Sequence, residues 1–296
     1  MTLAPRPPSL APLRGKSVGI IGSGNMGQAL VRGLLEAGLP AKRLRIVEAN
    51  PQTRRQVESR YAVAAASLED AARRCRVVIL AVKPQDARPV LIELGRALKR
   101  RGPQQVLVIS IAAGLQVRAL ERLLGPCPVV RVMPNLGATV GAAVSVMTGG
   151  RWAKPSHRAL AKAIFESVGT VVELPERLFD VVTAISGSGP AYFFLIFQAL
   201  RDAGVRGGMS QAVAQELAVR TALASVRLVD GSTEDLETLM DRVASKRGTT
   251  EAALRVFRQK GLAAILQAGV LAAAKRSKEL SWLLSKQDSR DDAGGG

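Results

Sequence analysis

A glycine loop near the start of the chain and two later runs of hydroxyl and glycine residues are the parts that could do chemistry. Gly22, Gly24 and Gly27 lie in Val18-Gly19-Ile20-Ile21-Gly22-Ser23-Gly24-Asn25-Met26-Gly27, where an apolar run ends in a glycine turn and a helix-like segment follows. Gly22 allows the tight strand-to-helix turn, Gly24 leaves room for a pyrophosphate, and Gly27 lets the helix pack close on the strand. The first helix turn offers backbone N–H groups and the positive end of a helix dipole to an anion. A dinucleotide is therefore the expected ligand of Ile21, Gly22, Ser23, Gly24, Asn25, Met26 and Gly27. Much later, Ser245 to Thr250 leads into a helix starting near Glu251, where hydroxyls and free N–H groups make a second anion cradle. Simple capping by Thr249 or Thr250 is the plainer reading. Ser188-Gly189-Pro190 likewise reads as a helix start, with serine capping and proline in the first turn.

Helices and strands must hold these groups. Ala29, Leu30, Val31, Leu34 and Leu35 repeat at helical spacing, and Gly38 is placed to stop that helix. Leu44 to Glu48 reads as a strand whose final acid is placed to hold an adenosine ribose. Asn50, Arg54 and Arg55 follow and suit a 2′-phosphate instead, so the two signals conflict; a solvated helix face is the plain alternative for the arginines. Ser67 caps a short helix through Arg74. Val77 to Val82 is continuously apolar, as in a parallel sheet buried on both faces. Its carboxyl end brings Ala81, Val82, Lys83 and Pro84 to the cofactor. Val90 to Leu98 reads as helix and Val106 to Ile111 as strand; Ile111, Ala112 and Ala113 are small enough at its end to admit a flat ring. A helix at Leu115–Leu124, a strand at Val129–Val132, and strands at Ala142–Met147 and Thr170–Val172 around the helix Ser156–Phe165 complete the pattern. The fold expected is α/β: an N-terminal Rossmann domain over 16–173, with a doubly wound, mostly parallel sheet of about eight strands, and an all-helical C-terminal domain over 174–286. Residues 1–15 read as a disordered leader and 287–296 as a disordered tail. Several late helices are apolar on a wide front, as at Leu262, Ile265, Leu266, Val270 and Leu271, and need a partner such as a second subunit.

Composition narrows the function classes. The chain has 296 residues and a net charge of +18, from 42 basic against 24 acidic side chains. The arginines are scattered and aromatics make up only 3%, so stacking platforms for nucleic acid are few and nucleic acid is an unlikely partner. Cys75 and Cys127 form no CxxC pair, and His157 is the single histidine. No metal site is expected, and His157 reads as a helix-surface residue. No apolar run is long and charge-free enough to cross a bilayer, so no membrane association is expected. A reduced, cytoplasmic setting fits.

Taken in order, Ile21-Gly22-Ser23-Gly24-Asn25-Met26, Ala81-Val82-Lys83-Pro84-Gln85, Ser110-Ile111-Ala112-Ala113-Gly114, Arg131-Val132-Met133-Pro134-Asn135, Ser186-Gly187-Ser188-Gly189-Pro190-Ala191-Tyr192, Gly248-Thr249-Thr250 and Arg276-Ser277-Lys278-Glu279-Leu280 carry a further signal. Over Ser17 to Leu280 the chain resembles pyrroline-5-carboxylate reductases. The Ser186–Tyr192 and Gly248–Thr250 segments are much more specific than the glycine loop. The resemblance implies NADPH- or NADH-dependent reduction of a cyclic imine carboxylate to L-proline. It also implies a helical domain that interlocks with its twin in a dimer or larger homo-oligomer, and a substrate site between the nicotinamide and that domain. Asn50, Arg54 and Arg55 tilt the choice slightly towards NADPH.

On this resemblance Thr250 contacts the substrate nitrogen, and Ser245 and Thr249 hold the carboxylate with Gly248. Ser186, Ser188 and Tyr192 line the other wall. An imine is readily protonated, so positioning and charge stabilisation suffice without a strong side-chain acid. The chain departs from the family at Lys246 and Arg247, where proline and glycine are usual. It departs again at Leu136-Gly137, where Thr-Pro is common. Arg247 replaces a residue that visits positive φ cheaply. Two alternatives follow: a paralogue reducing another cyclic imine, and a non-catalytic dinucleotide-binding regulator.

Overall fold

The computed structural model of the protein describes residues 9–293. The strands are β1 Val18–Ile21, β2 Leu44–Val47, β3 Ala64–Ala65, β4 Val77–Leu80, β5 Leu107–Ser110, β6 Val129–Met133, β7 Ala143–Gly149 and β8 Gly169–Glu173. They form one 8-stranded sheet in the order β3-β2-β1-β4-β5-β6-β7-β8. β1 pairs in parallel with β2 on one side and β4 on the other, Val18 facing both Leu44 and Val77. Pairing is parallel from β3 to β6; β7 runs antiparallel to β6, and β8 parallel to β7. The chain winds outwards in two directions from β1 and β4, so a switch point lies between their carboxyl ends.

The helices of this sheet are α1 Asn25–Glu36, α2 Pro51–Tyr61, α3 Leu68–Arg74, α4 Pro84–Arg101, α5 Val117–Leu124 and α6 Pro155–Glu166. β1, β4 and β5 are buried along their whole length because helices cover both faces. One core joins the sheet to Leu30, Leu34, Leu160 and Phe165 from α1 and α6. The other joins it to Leu68, Leu91, Leu94 and Leu120 from α3, α4 and α5. Ser67 caps α3 as expected, accepting the N–H of Asp70 at 3.0 Å.

Some boundaries differ from the sequence reading. α4 starts at Pro84, before the expected Val90, and carries Pro89 in its interior near the N-terminal end. Residues 9–15, assigned to the leader, include a 3₁₀ turn, Ala11–Leu13, and Leu13 is buried in the core. Residues 1–8 lie outside the described residues. His157, expected on a helix surface, is buried at the start of α6.

After β8 come a 3₁₀ turn at Glu176–Leu178, α7 Phe179–Val182 and a π-helical turn at Thr183–Gly187. Then follow α8 Gly189–Arg206, α9 Gln211–Asp230, α10 Leu236–Val243, α11 Thr249–Gln259 and α12 Leu262–Ala293. α12 runs through the first part of the expected tail; residues 294–296 lie outside the described residues. The described chain up to Gly187 and from Ala273 on forms one compact unit, and Ser188–Ala272 forms another. This division falls after Gly187, whereas the sequence reading divides the chain at Leu174. The short helical run before Ser188 stays with the sheet because Phe179 is buried and Arg131 of β6 stacks on its ring at 4.7 Å. Arg131 also pairs with Glu176 at 2.9 Å. The end of α12 is tied to that run, the Ser277 hydroxyl donating to Asp180 at 2.7 Å.

In the second unit the buried residues are small: Gly189, Ala214 and Ala218. Its large apolar side chains are exposed, Phe193, Phe194, Leu195, Leu217, Ile265 and Leu271 among them. Against the expectation from sequence, one described run, Glu176–Arg206, is long and apolar enough by composition to cross a membrane.

Candidate active site

At the switch point the three glycines have three separate steric reasons. Gly22 has φ +96°, and a Cβ there would lie 2.8 Å from the carbonyl oxygen of Ala81. A Cβ on Gly27 would lie 2.2 Å from the carbonyl oxygen of Gly22. A Cβ on Gly24 meets nothing within 4 Å, so this face of the loop is open. Gly24 is the N-cap of α1 and supplies no side-chain cap, leaving first-turn N–H groups of Asn25, Met26 and Gly27 free for a ligand. Ser23 is buried and its hydroxyl has no partner. An open loop, an uncapped helix start and an orphaned buried hydroxyl together fit a dinucleotide pyrophosphate.

The acid at the end of β2 is tied to this loop. One carboxylate oxygen of Glu48 accepts the N–H of Ser23 at 2.8 Å, and the other accepts the N–H of Asn50 at 2.9 Å. Asn50, expected as a cofactor contact, is the N-cap of α2; its Oδ1 accepts the N–H groups of Gln52 and Thr53 at 2.9 and 3.0 Å. That side-chain oxygen is therefore committed to the fold. Arg54 and Arg55 follow on the same helix, Arg55 exposed.

The loops after β4 and β5 lie alongside the glycine loop. Ala81 donates its N–H to the Ile21 carbonyl at 2.7 Å, and Ile111 donates to Leu80 at 3.1 Å. The sheet register aligns Ile21, Leu80 and Ser110 in one row, so Gly22, Ala81 and Ile111 leave the sheet together. Ala112 is buried, its N–H held by the Ser110 hydroxyl at 3.3 Å. Val82 belongs to the loop before α4, Lys83 is the exposed N-cap of that helix, and Pro84 is its first residue.

One residue of the next loop, not among the site residues expected from the sequence, organises the surroundings. Asn135, after β6, accepts through Oδ1 from Gly137 and Val144, both at 3.1 Å, and donates through Nδ2 to the Ser186 hydroxyl at 3.3 Å. The Ser186 hydroxyl in turn donates to the Val144 carbonyl at 3.3 Å. Asn135 ends the Arg131–Asn135 segment, and its position just past a strand's carboxyl end is the signal the sequence offers. Gly137 is required by the tight turn, since a Cβ there would lie 2.5 Å from the Ala142 carbonyl oxygen.

The second unit carries the remaining candidates. Ser188 is the N-cap of α8, yet its side chain makes no capping bond, contrary to the plain reading of that segment. The Tyr192 hydroxyl is buried with no partner. In the loop before α11, Gly248 donates to the Ser245 carbonyl at 2.9 Å, closing a β-turn over Lys246 and Arg247. Arg247 takes the left-handed conformation, φ +58°. The turn thus keeps the backbone that proline and glycine favour, with arginine in the glycine place at a strain cost on the order of 1 kcal/mol. Gly248 is confined, a Cβ there falling 2.3 Å from the Ser245 hydroxyl. It is also the N-cap of α11, with no side-chain capping bond. Thr249 and Thr250 are therefore the first residues of the helix and not its caps. Their hydroxyls and the first-turn N–H groups are available to an anion, in competition with Glu251, which accepts the Arg247 N–H.

No group of three or more metal-ligating side chains occurs among the described residues. Burial pushes the Cys75 thiol up to about 11 and the Cys127 thiol to about 12, so neither is a thiolate near neutral pH. Nδ1 of His157 accepts the Lys154 N–H at 3.1 Å and closes the start of α6. Burial, helped by Arg76 and Lys154, holds the pKa of His157 down.

Comparison with known proteins agrees with this architecture. Residues 176–280 match the family model for pyrroline-5-carboxylate reductase dimerisation, and residues 17–114 that for NADP oxidoreductase, coenzyme F420-dependent. The chain is 39% identical over 283 residues to the pyrroline-5-carboxylate reductase of Mycobacterium leprae, covering 89% of this chain and 96% of that one. It is 37% identical to the Synechocystis protein of the same name, with 89% and 97% covered. The solved pyrroline-5-carboxylate reductase of Coxiella burnetii superposes with a TM-score of 0.84 at 30% identity, over 90% of this chain and 98% of that one. The NADP-bound Plasmodium falciparum pyrroline carboxylate reductase gives 0.80 at 29% identity, with the same shares covered. The chain belongs to the pyrroline-5-carboxylate reductase family.

Proposed function

We propose that the protein reduces 1-pyrroline-5-carboxylate to L-proline with NADPH or NADH, the last step of proline biosynthesis. The observation that carries this reading is the open, uncapped glycine loop at the switch point of a chain alike to reductases along almost its full length. The bound nicotinamide supplies a hydride to the imine carbon. The residues of the chain bind and orient. Gly22 to Gly27 hold the pyrophosphate, and Glu48 stands at the adenosine ribose. Ala81 to Pro84 and Ile111 to Ala113 flank the nicotinamide half. Ser245, Gly248 and Thr249 receive the substrate carboxylate at the start of α11, where the dipole favours negative charge. The Thr250 hydroxyl hydrogen-bonds the ring nitrogen, which enters protonated and leaves as the amine of proline. Ser188 and Tyr192 are further substrate contacts in the helical unit, and Ser186, fixed by Asn135, is one in the sheet-bearing unit.

A homodimer, or a larger homo-oligomer built from it, follows from the second unit. Its exposed phenylalanines and leucines on α8, α9 and α12 exceed what one subunit can hide. The apolar run Glu176–Arg206 belongs to that subunit interface, within the segment matched by the dimerisation model. Two free, buried cysteines suit a reducing compartment, and we place the enzyme in the cytoplasm.

The test is oxidation of reduced nicotinamide, followed by absorbance, on addition of pyrroline-5-carboxylate. No turnover would end the enzyme reading in favour of a binding regulator. Arg247 in its strained turn supports one other reading, a paralogue acting on a different cyclic imine. Faster turnover of another imine in a substrate panel would establish it.

A further inference from the structure

A groove of about 590 Å³ runs along α11 beside the substrate loop and is lined by Arg247, Glu251, Arg255 and Arg258. Spacings of four and three residues put Glu251, Arg255 and Arg258 on one flank of α11, and Arg247 stands in the turn just before its N-cap. Arg242 of the preceding helix, in contrast, has an acid partner, pairing with Glu234 at 2.6 Å. Arg247, Arg255 and Arg258 share their groove with a single carboxylate, Glu251, which accepts the backbone N–H of Arg247. Three positive charges against one negative leave the groove with a charge of +2. Arg247 holds its place at φ +58°, where glycine would be unstrained, so the guanidinium stands there against the backbone preference. Guanidinium groups match phosphoryl oxygens with paired hydrogen bonds, and a cluster of like charges concentrates anions.

We propose that Arg247, Arg255 and Arg258 form a binding site for a small polyanion bearing two or more phosphoryl groups, separate from the dinucleotide loop at Gly22–Gly27. The charge of +2 fits such a ligand better than a monocarboxylate. The site does not depend on the reaction assigned above. Inorganic pyrophosphate is titrated by calorimetry into the full-length protein saturated with NADPH, so that the glycine loop is already filled. One site per chain is expected. Arg255→Gln with Arg258→Gln should weaken it by about tenfold or more, and Arg247→Gly alone should weaken it measurably. ADP in place of pyrophosphate distinguishes the source: equal affinity means that only phosphoryl groups are read, and tighter binding means a nucleotide. Absent binding, binding unchanged in the variants, or binding abolished by NADPH would overturn the site. So would a change of oligomer mass in the Arg255→Gln, Arg258→Gln variant, which would give these guanidinium groups to a subunit contact instead.

Discussion

The carboxylate of Glu48 accepts the backbone N–H of Ser23 at 2.8 Å, joining the end of β2 to the middle of the glycine loop. The same group holds the N–H of Asn50 and so the start of α2. Its charge is thus shared by two donors, which softens but does not remove its repulsion of a 2′-phosphate. Glu48→Ala should weaken both cofactors, because the Ser23 and Asn50 N–H groups lose their acceptor. The ratio of kcat/KM for NADPH over NADH should rise, since the repulsion goes. A change of about 1.4 kcal/mol is tenfold in that ratio. Steady-state kinetics with both cofactors measures it, and a falling ratio would show that Glu48 does not face the ribose.

Two glycine variants separate binding from folding. Gly24→Val places its side chain in open space, so the melting temperature should stay near wild type while cofactor binding is lost. Gly27→Ala drives a Cβ into the Gly22 carbonyl, and such overpacking costs about 1–3 kcal/mol. Thermal melts and cofactor calorimetry on the same samples check both. Retained binding in Gly24→Val would remove the pyrophosphate from this loop.

The order of layers was legible in the sequence because buried parallel strands read as apolar runs and the helices between them keep their own period. Ser67, placed as a cap, is one. What escaped depended on contacts far apart in the chain. Leu13 lies in a proline-rich stretch with no periodicity, and only its burial in the core reveals its place. Pro89 made α4 seem to begin late, yet near a helix start the missing N–H costs little. Phe179 stays with the sheet because Arg131 and Glu176 meet there across more than forty residues. The glycine loop was readable because its three steric demands are local. The bonds from Asn135 to Gly137, Val144 and Ser186 were not, since they join three separate segments.

The cysteines give a pH prediction. Burial raises Cys75 to about 11 and Cys127 to about 12, against about 8.5 in an unfolded chain. Above that lower value the unfolded state binds fewer protons than the folded one, so stability falls as pH rises. The contribution of the two thiols is complete below about pH 8.5 and is lost progressively towards pH 11. Melting temperature should therefore drop between pH 8 and 10, and Cys127→Ala should flatten the slope. Neither thiol should react with an aromatic disulfide reagent at pH 8 until the protein unfolds.

Thr250 decides the assignment of the catalytic contact. Gly248 caps α11 and Thr250 lies inside the first turn without a capping bond. Removing its hydroxyl should therefore leave stability within about 0.5 kcal/mol of wild type, and alanine's higher helix propensity works in its favour. A hydrogen bond to a charged group is worth about 1.5–3 kcal/mol, which in a transition state is roughly 10- to 150-fold in rate. Thr250→Ala should lower kcat/KM by that factor with cofactor affinity unchanged. Thr250→Ser, which keeps the hydroxyl, should recover most of the loss. A Thr250→Ala enzyme of normal rate would move the contact to Ser245 or Thr249, whose hydroxyls flank the same helix start. If Thr250→Ser were as slow as Thr250→Ala, the methyl group would be the functional part, acting by packing, and the nitrogen of the substrate would find its partner elsewhere.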